Sequence, residues 1–477
     1  MKVLTAENLL HRLEQNVLLS TVGPRDLPER QQTMNATVAW SYQLLGPDER
    51  HAFRRLGAVP GRFPIEAAAA VLAGRDGSSA TRDDALGAIA ALIDKSLLLR
   101  SATSVTTRPL YQMLETVRTY AALELTASGE RDDALEGLTH YCVSEASLAS
   151  EGLVGHAQIE WLHRVHDELD SYRAALAWLI QHGRSNHAAG IAWALVFFWL
   201  IRGLTREGLG WYERILNLPS LPPGAEARLL VGRALMLFTQ RELGRARSAV
   251  SRALRLVRDA GDMGMVAQAE DLSARVEHAL DNVDAARDHF ARSIEAFQTL
   301  GIQWGAGNAL IGMAGISLAT DEDREAERLL DEATSVLRDA GPWFHARALF
   351  VRAILAVRRG NADEAIALVR ESLTRIRNLH DKFLFMYALV PLAAAALLKG
   401  DAAWAARILA ARDAISESTG ATVIRKAVQD LREEAEREAR ARLGPDRWAA
   451  AYAAGRKTSI DSILKEIDRP ACELNQT

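Results

Sequence analysis

The chain has 477 residues, of which 49% are hydrophobic and 25% charged, the composition of a folded protein too long for one ordinary core. Its 57 basic and 61 acidic side chains leave a formal charge of −4, which excludes a global attraction to DNA or to a membrane. The two cysteines, Cys142 and Cys472, are far apart and in no metal-ligand spacing. They exclude a disulfide framework and indicate a reducing, cytoplasmic location.

The N-terminal stretch MKVLTAENLLHRLEQ is predicted to form an amphipathic helix, because polar residues interrupt its apolar ones. A secretory signal would need a continuous apolar segment. The longest apolar run, Ala188 to Ile201, is shorter than the ~20 residues that span a bilayer. We therefore expect no membrane association and assign this run to a buried helix.

Residues 29–130 are predicted to form a winged-helix domain. Thr33, Pro47 and Pro64 stand where they could begin helices, and a fourth helix is expected from about Asp83 to Lys95. Helical spacing predicts that this fourth helix buries one apolar face, made of Leu86, Ile89, Ala90 and Ile93.

A change of pattern follows the fourth helix. Residues 97–100 and 110–113 read as two short strands joined by a polar link, and a helix is expected from Glu115. Helices followed by a β hairpin are typical of a winged helix.

Residues 131–443 are predicted to form an array of helical hairpins. A turn residue is followed five positions later by an alanine, and successive alanines lie 37, 40, 39 and 40 residues apart. A period near 40 fits one hairpin per repeat. The turn residues are Gly244, Asp281, Asp321, Gly360 and Gly400, and the alanines are Ala249, Ala286, Ala326, Ala365 and Ala405.

Four pairs of helices are expected in this array, at 263–279 with 284–299, 302–318 with 323–338, 342–358 with 363–379, and 383–398 with 402–418. The alanine lets the two helix axes of a hairpin approach closely. Replacing Ala326 or Ala365 with Leu should therefore cost ~1 to 3 kcal/mol. The predicted fold class is all-α, a tetratricopeptide-like α-hairpin superhelix preceded by a small winged-helix domain.

The segment after Gly420 is heavily charged and is predicted to form a solvated capping helix, with residues 444–477 as cap and tail. A partner-binding coiled coil is the alternative. The heptads of this segment are too rich in alanine to form a strong coiled-coil interface.

Several strings resemble bacterial signal-transduction ATPases of the NB-ARC (STAND) type, in which a nucleotide-binding module precedes a winged helix and a helical-repeat sensor. They are RQQTMNATVAWSYQLLGPDER at 30–50, ALIDKSLLLR at 91–100, YQMLETVRTYAALEL at 111–125, EWLHRVHDELDSYRAALAWLIQHG at 160–183 and ARLGPDRWAAAYAAGRKTSIDSIL at 441–464.

The sequence departs from that family in one large respect, because no Gly-rich loop ending in Gly-Lys-Ser/Thr occurs. Backbone amides of such a loop bind the phosphates of ATP. We therefore expect no ATP hydrolysis and no cofactor. The resemblance implies the regulatory half of such an ATPase, with residues 1–28 as the residual helix of a missing nucleotide-binding module.

Other chemistry receives little support. His163 and His166, with Glu160 one turn earlier, could place metal ligands on one helical face, but nothing supplies the remaining ligands. Ser462 and Lys465 match Ser-x-x-Lys without the partner motifs that catalysis needs. We predict no catalytic, cofactor-binding or metal site.

Five aromatic residues could line a ligand groove or, as the simpler interpretation, fill the core of the first repeats. They are Trp193, Phe197, Phe198, Trp199 and Trp211.

The functional hypothesis is a non-catalytic signalling or regulatory scaffold that binds a protein or peptide in the groove of the repeats, with a small inducer as a further candidate. One alternative is a transcriptional regulator whose winged helix contacts DNA. Contact with DNA is disfavoured because the helix at 83–95 offers only Lys95, with Arg82 just ahead. The other alternative is the regulatory part of a split STAND ATPase. The residues that contact the ligand cannot be chosen from the sequence.

Overall fold

The computed structural model describes residues 29–73, 81–101, 108–379, 381–419 and 426–467. The chain forms two compact units, one made of residues up to Cys142 together with Asp167–Trp178, the other of Val143–His166 and Leu179 onwards. This division passes through helices near residues 142, 167 and 178, whereas the sequence suggested a boundary at residue 130. The four-part division at 1–28, 29–130, 131–443 and 444–477 stays a prediction.

The first unit contains a winged helix. Its elements are α1 (Glu29–Gln43), α2 (Pro47–Leu56), β1 (Arg62–Phe63), α3 (Ile65–Leu72), α4 (Arg82–Asp94), β2 (Leu99–Arg100), β3 (Tyr111–Gln112) and α5 (Glu115–Ala127). The predicted hairpin of β2 and β3 is present, and β1 adds a third antiparallel strand in the order β1-β3-β2. The polar link between β2 and β3 includes residues 102–107, which lie outside the described residues.

Local capping explains where two of these helices begin. Pro47 occupies the first turn of α2, and the Gly46 amide donates to Oε2 of Glu49 at 2.8 Å. Thr81 and Asp84 form a reciprocal capping box at the start of α4. Thr33, in contrast, lies inside α1, so the prediction that it begins this helix is wrong. The described part of the helix already includes Glu29.

The buried face of α4 differs from the predicted one. Ala85, Ile89 and Leu92 are at most 1% exposed, whereas Leu86 is 49% exposed and Ala90 is also on the surface. Both the predicted and the observed set of residues satisfy helical spacing. Which set is buried depends on the elements that pack against α4. Of the predicted face, only Ile89 is buried.

Helices then follow one another to the end of the described chain. They are α6 (Arg131–Gly152), α7 (Gln158–Asp167), α8 (Leu169–Gln181), α9 (Ser185–Ala194), α10 (Val196–Ile201), α11 (Thr205–Leu216), α12 (Pro223–Thr239), α13 (Leu243–Ala260), α14 (Met263–Ala279), α15 (Val283–Thr299), α16 (Gln303–Ala319), α17 (Asp323–Val336), α18 (Pro342–Arg358), α19 (Ala362–Ile376), α20 (Lys382–Leu398), α21 (Ala402–Thr419), α22 (Lys426–Gly455) and α23 (Ile460–Ile467).

The four predicted helix pairs are confirmed, as α14 with α15, α16 with α17, α18 with α19, and α20 with α21. In the second unit these pairs stack as tetratricopeptide-like hairpins, and α12 with α13 forms a further hairpin before them. The fold class predicted from the sequence is therefore correct.

Each of these hairpins turns through one residue in the left-handed backbone region. Asp281, Asp321, Gly360 and Gly400 have φ between +60° and +85°. The amide that follows each turn residue donates to the carbonyl five positions earlier, which closes the first helix with a Schellman motif. These bonds measure 2.8 to 2.9 Å and join Asn282 to Glu277, Glu322 to Ser317, Asn361 to Ala356 and Asp401 to Ala396.

The first hairpin corrects the predicted register. Gly244 lies inside α13, and the turn residue is Arg241, with φ of +62°. Its alanine five positions later is Ala246, which is fully buried. With this correction the alanines lie 40, 40, 39 and 40 residues apart, a more regular period than the sequence reading gave.

The predicted role of the alanines is supported by their burial. Ala286, Ala326, Ala365 and Ala405 are 0% exposed, and Ala249 is 5% exposed. Ala286 packs in a cluster with Ala274 on the other helix of its hairpin and with Ala309 on the next hairpin. A side chain larger than methyl has no room at such a position.

Helix α22 packs on the last hairpin, and α23 packs against α19 of the hairpin before it. In α22, Val428, Ala435 and Ala439 are at most 2% exposed, and the helix packs against α21. The helical path is interrupted at Gly444, where φ is +72° before Pro445. The expected solvated capping helix stays a prediction, because α22 has a buried face. In the described residues no helix has both the length and the apolarity needed to cross a bilayer.

Candidate functional site

The inner face of the second unit contains a cavity of about 160 Å³. Its walls come mostly from the first helices of successive hairpins, namely α12, α14, α16, α18 and α20. α10, the start of α22, Trp193 of α9, and Phe290 and Phe297 of α15 also contribute to the lining.

Equivalent positions of successive hairpins meet in this cavity. Gln268, Asn308, Arg347 and Tyr387 lie 40, 39 and 40 residues apart, the same spacing as the alanines, and all four line the cavity. A second row of equivalent lining residues is aromatic, made of Trp304, Trp343 and Phe383. The repeat therefore brings side chains of one position together along the inner face.

Aromatic rings form one wall. The ring centroid of Phe197, on α10, lies 5.4 Å from that of Trp304 and 6.1 Å from that of Trp343, both in edge-on geometry. Phe344, behind the wall, is fully buried and contacts all three rings at 5.1 to 5.8 Å. Edge-on pairs at these distances are favourable and hold the wall in place.

The polar part of the cavity is a connected group on three first helices. Arg275 donates two hydrogen bonds to Asp271, at 2.7 and 2.8 Å, and a third to the carbonyl of Asn308 at 2.9 Å. Arg347 donates from Nη1 to Oδ1 of Asn308 and stacks 4.7 Å from the Trp343 ring. Arg347 and Asn308 are only 6% and 8% exposed.

Asp381 lies directly behind this group and is 1% exposed. It caps α20 by accepting from the Leu384 amide at 2.9 Å, and it accepts from Nε1 of Trp343 at 2.6 Å. Burial raises the pKa of its carboxyl to about 6, although these hydrogen bonds and the charge of Arg347 oppose the increase. Asp381 thus fixes the orientation of Trp343 within the wall.

Two helices outside the predicted pairs also border the cavity. Val196, Phe197 and Leu200 of α10 border the cavity on one side, and Ala427 and Val428 of α22 border it on another. Helices other than those of the predicted pairs therefore take part in the lining of this cavity.

The predicted aromatic group divides into two sets. Trp193 and Phe197, one turn apart, line the cavity. Phe198 and Trp199 point the other way into the core and are 0% exposed, while Trp211 stacks with Arg214 at 4.5 Å. The core interpretation is confirmed for Phe198 and Trp199, and a ligand groove lined by Trp193 and Phe197 stays a prediction.

The other residues singled out in the sequence lie elsewhere. His163 and His166 are on α7, and Ser462 is on α23, where its hydroxyl contacts that of Ser459 at 2.9 Å. Cys142 is buried, and Cys472 lies outside the described residues. Among the residues described, no three His, Cys, Asp or Glu side chains gather as a metal site.

Sequence reasoning missed Asp271, Arg275, Asn308 and Arg347. A signal for them existed, because Asn308 and Arg347 are polar residues in first helices and are separated by one period of the alanines. Applying that period to the first helices would have identified them.

The surface of α4 bears on the alternative DNA site. Its exposed positions include Asp83, Asp84 and Asp94. The two cations beside them are already paired, Arg82 with Glu66 at 3.4 Å and Lys95 with Glu49 at 2.5 Å. A helix that reads the major groove normally presents basic and amide side chains instead.

Comparisons with known proteins agree with this two-part architecture of a winged helix followed by tetratricopeptide-like repeats. Residues 45–126 match the family model described as a winged helix-turn-helix domain. The chain is 31% identical over 360 residues to a protein of Mycobacterium tuberculosis with the provisional name HTH-type transcriptional regulator Rv0890c. That alignment covers 73% of this chain and 40% of the relative. The chain thus spans well under half the length of this relative.

A shorter alignment relates the chain to the uncharacterized protein Rv0894 of the same organism, with 36% identity over 105 residues, covering 22% of this chain and 26% of that protein. Solved structures of similar fold include a STAND protein with a tetratricopeptide repeat sensor from Pyrococcus horikoshii, at 12% identity and a TM-score of 0.46, covering 98% of this chain and 72% of that one. Another is a Rap protein complexed with competence and sporulation factor, at 13% identity and a TM-score of 0.46. That alignment covers 70% of this chain and 99% of the Rap protein.

Proposed function

We propose that this chain is a non-catalytic regulatory protein whose repeat cavity binds a small ligand. The observation that carries the proposal is the pairing of a buried guanidinium and amide, Arg347 and Asn308, with an aromatic wall in one cavity. A mostly apolar cavity with a few convergent polar groups is the usual form of a ligand site.

The cavity favours the small inducer over the protein or peptide partner among the candidates drawn from the sequence. Its volume of about 160 Å³ is close to the ~150 Å³ of an apolar cavity that holds a single benzene ring. α10 and α22, which lie outside the hairpins, also contribute to its lining. The regulatory role is supported by the winged helix-turn-helix match and by the name of the mycobacterial relative.

A thermal-shift screen of aromatic and aliphatic metabolites tests the proposal. A compound at 100 times its Kd should stabilise the folded chain by about 2.7 kcal/mol. The variant Leu235→Trp places a larger side chain in the cavity lining and should abolish the shift. Leu300→Trp is the matched control, because Leu300 is 44% exposed and outside the lining. A screen without stabilising compounds, or a shift that survives Leu235→Trp, would contradict the proposal.

A second candidate function is a transcriptional regulator that contacts DNA, which the family match and the name of the relative favour. The acidic surface of α4 opposes it. We expect fluorescence anisotropy to show no binding of a 30-base-pair duplex at 50 mM salt. Binding that weakens steeply as salt increases would support this candidate instead. Cooperation with a nucleotide-binding partner stays a prediction.

A further inference from the structure

The last described helix, α23, packs on a surface that two second helices of the array form. Its polar contacts there are Arg370 on α19, Arg377 directly after α19, and Trp404 and Arg407 on α21. We call these four residues and the helices that carry them the α19–α21 surface. None of the four lines the repeat cavity, so this surface is separate from the proposed ligand site.

Two contacts give the direction of α23 on this surface. Nη2 of Arg370 donates to the carbonyl of Ile467 at 2.6 Å, and Arg377 pairs with Asp461 at 3.7 Å. Seven positions forward along the chain from Arg370 therefore correspond to six positions backward along α23, about two turns of helix. α23 thus runs antiparallel to α19.

Two isoleucines one turn apart attach α23. Ile463 and Ile467 are each 3% exposed, whereas Asp461, Ser462 and Lys465 are exposed. Apolar side chains at positions i and i+4 are the means by which an amphipathic helix binds a groove. The chain therefore places its own short helix on the α19–α21 surface in the way that a helical peptide would bind there.

The polar contacts favour an acidic helix. The carboxylate of Glu466 accepts from Nε1 of Trp404 at 3.0 Å and lies 3.6 Å from a guanidinium nitrogen of Arg407. Arg370 is bonded at the negative C-terminal end of the α23 dipole. The surface thus supplies three guanidiniums and one indole donor, and the helix supplies two carboxylates, those of Asp461 and Glu466.

The attachment of α23 is of a kind that opens easily. A helix of eight residues is marginal in water without tertiary contacts. Its ion pair between Arg377 and Asp461 is solvent-exposed on both sides, and such pairs contribute little. Only residues 456–459 connect α23 to α22, so α23 is able to leave the surface while α22 stays in place.

We propose that the α19–α21 surface is a docking site for an acidic amphipathic helix of a partner protein, and that α23 covers this site in the free chain. The partner helix has two apolar residues one turn apart and a carboxylate directly before the second. The four-residue link holds α23 at an effective concentration on the order of millimolar, and α23 therefore excludes weak competitors.

A fluorescein-labelled peptide with the sequence of residues 456–467 tests the site by fluorescence anisotropy. Its C-terminus is amidated, so that Ile467 keeps a carbonyl oxygen for Arg370. The peptide is titrated into the wild-type chain and into Ile463→Glu/Ile467→Glu, in which two charged side chains at buried positions should detach α23. We expect at least about tenfold tighter binding to the double variant, because α23 competes with the peptide in the wild type.

A second peptide distinguishes a partner site from a contact that serves this chain alone. It keeps Asp461, Ile463, Glu466 and Ile467 and has alanine at the other positions. An affinity within about threefold of the first peptide would support the partner chemistry, because the anchor positions then suffice. A loss of tenfold or more would overturn it. A peptide with Ile463→Ser should not bind.

Variants of the surface locate the charge. Added to the double variant, Arg370→Met should weaken peptide binding by about tenfold, because a charged hydrogen-bond donor is lost. Arg375→Met is the matched control on α19, since Arg375 pairs with Glu371 at 2.7 Å, and it should leave the affinity within about twofold. Equal effects of the two substitutions would overturn the assigned site.

Hydrogen exchange of the unmodified chain gives a test that needs no variant to fold. Millimolar amounts of the second peptide, whose mass differs from that of the native segment, should displace α23 and accelerate exchange of residues 460–467. Unchanged exchange would overturn the proposal. In the double variant, persistent protection of this segment would overturn the role of the two isoleucines, and released α23 without peptide binding would overturn the docking site.

Analytical ultracentrifugation separates a partner from a second copy of this chain. We expect the wild type and the double variant to sediment alike. A wild-type dimer that dissociates in Ile463→Glu/Ile467→Glu would identify a second copy as the occupant of the α19–α21 surface and overturn the partner helix. None of these results depends on whether the cavity binds a small ligand, because the two sites share no residue.

Discussion

Each second helix has a buried alanine five positions after the turn residue, where the two helices of the hairpin pack closely. Ala286→Leu adds three carbon atoms to a position with 0% exposure between α14, α15 and α16. We expect this substitution to lower the free energy of unfolding by about 1 to 3 kcal/mol, because overpacking forces backbone and rotamer shifts. Urea denaturation followed by circular dichroism measures the change.

Ala291→Leu is the matched control for this prediction. Ala291 lies on the same helix and is exposed, so its replacement should change stability by less than about 0.5 kcal/mol. Equal effects of the two substitutions would show that the alanine is not a packing requirement.

Asp381 should make stability depend on pH. Its carboxyl has a pKa of about 6 in the folded chain and an ordinary value of 3.8. The folded state therefore binds more protons than the unfolded state between these values, and stability falls as pH rises through this range. Between pH 5 and pH 7.5 the wild type should lose about 1 to 2 kcal/mol more than Asp381→Asn.

Denaturation of both proteins at the two pH values checks this prediction. Other titrating groups cancel in the difference between wild type and variant, provided that the substitution leaves their surroundings intact. A difference that is the same at both pH values would mean that Asp381 keeps its ordinary pKa.

At the scale of elements, the sequence predicted four helix pairs with ends within about three residues of the structure. This worked because each hairpin repeats the same turn geometry, the left-handed residue and the Schellman bond that follows it. The one register error came from Gly244, which has the composition of a turn but lies three residues after the real one, Arg241. A left-handed arginine gives no compositional signal.

The faces of the helices were harder to predict than their ends. The buried face of α4 and the division of the aromatic run 193–199 both depend on which neighbours pack against the helix, and these neighbours come from distant parts of the chain. Periodicity alone allows either face. The positions of Leu86 and Phe197 could therefore not be obtained from spacing.

The attachment of α22 to the last hairpin is expected to depend on Asp413. This residue accepts from Arg432 and from the Tyr452 hydroxyl at 2.8 Å each, and it pairs with Arg412. Burial alone would raise the pKa of its carboxyl, but these hydrogen bonds outweigh burial and lower it. Asp413→Asn should weaken the attachment by about 1 to 3 kcal/mol, since the guanidiniums lose a charged acceptor.

Hydrogen exchange with mass spectrometry measures this effect. Peptides from residues 426–455 should exchange at least about fivefold faster in Asp413→Asn, because each 1.4 kcal/mol of opening free energy is a factor of ten. Glu417→Gln serves as control, since Glu417 and Arg456 form an exposed pair. Unchanged exchange in Asp413→Asn would show that apolar packing of Val428, Ala435 and Ala439 holds α22 without it.

At the scale of the whole molecule, the cavity could not be located from the sequence because no local segment contains it. Its polar group needs α14, α16 and α18 side by side, and its wall needs α10 placed against α16 and α18. The period identifies which residues occupy equivalent positions in successive hairpins, and it therefore limits the candidate lining residues to a few sets of equivalent positions. The packing of the hairpins determines which of these sets lines the cavity.

Stacked hairpins should transmit a local defect mainly to their neighbours, since each repeat is stabilised by its own packing and by the adjoining interfaces. In Ala286→Leu we therefore expect faster hydrogen exchange in α14 to α17 and in α12 and α13, with little change in α20 and α21.

One distant helix is an exception, because Phe197 of α10 contacts Trp304 of α16. α10 should respond together with α16 even though about 90 residues separate α10 from the substitution. Uniform acceleration across every hairpin would instead show that the second unit opens as a single cooperative block, and acceleration of α16 without α10 would show that the aromatic wall does not couple them.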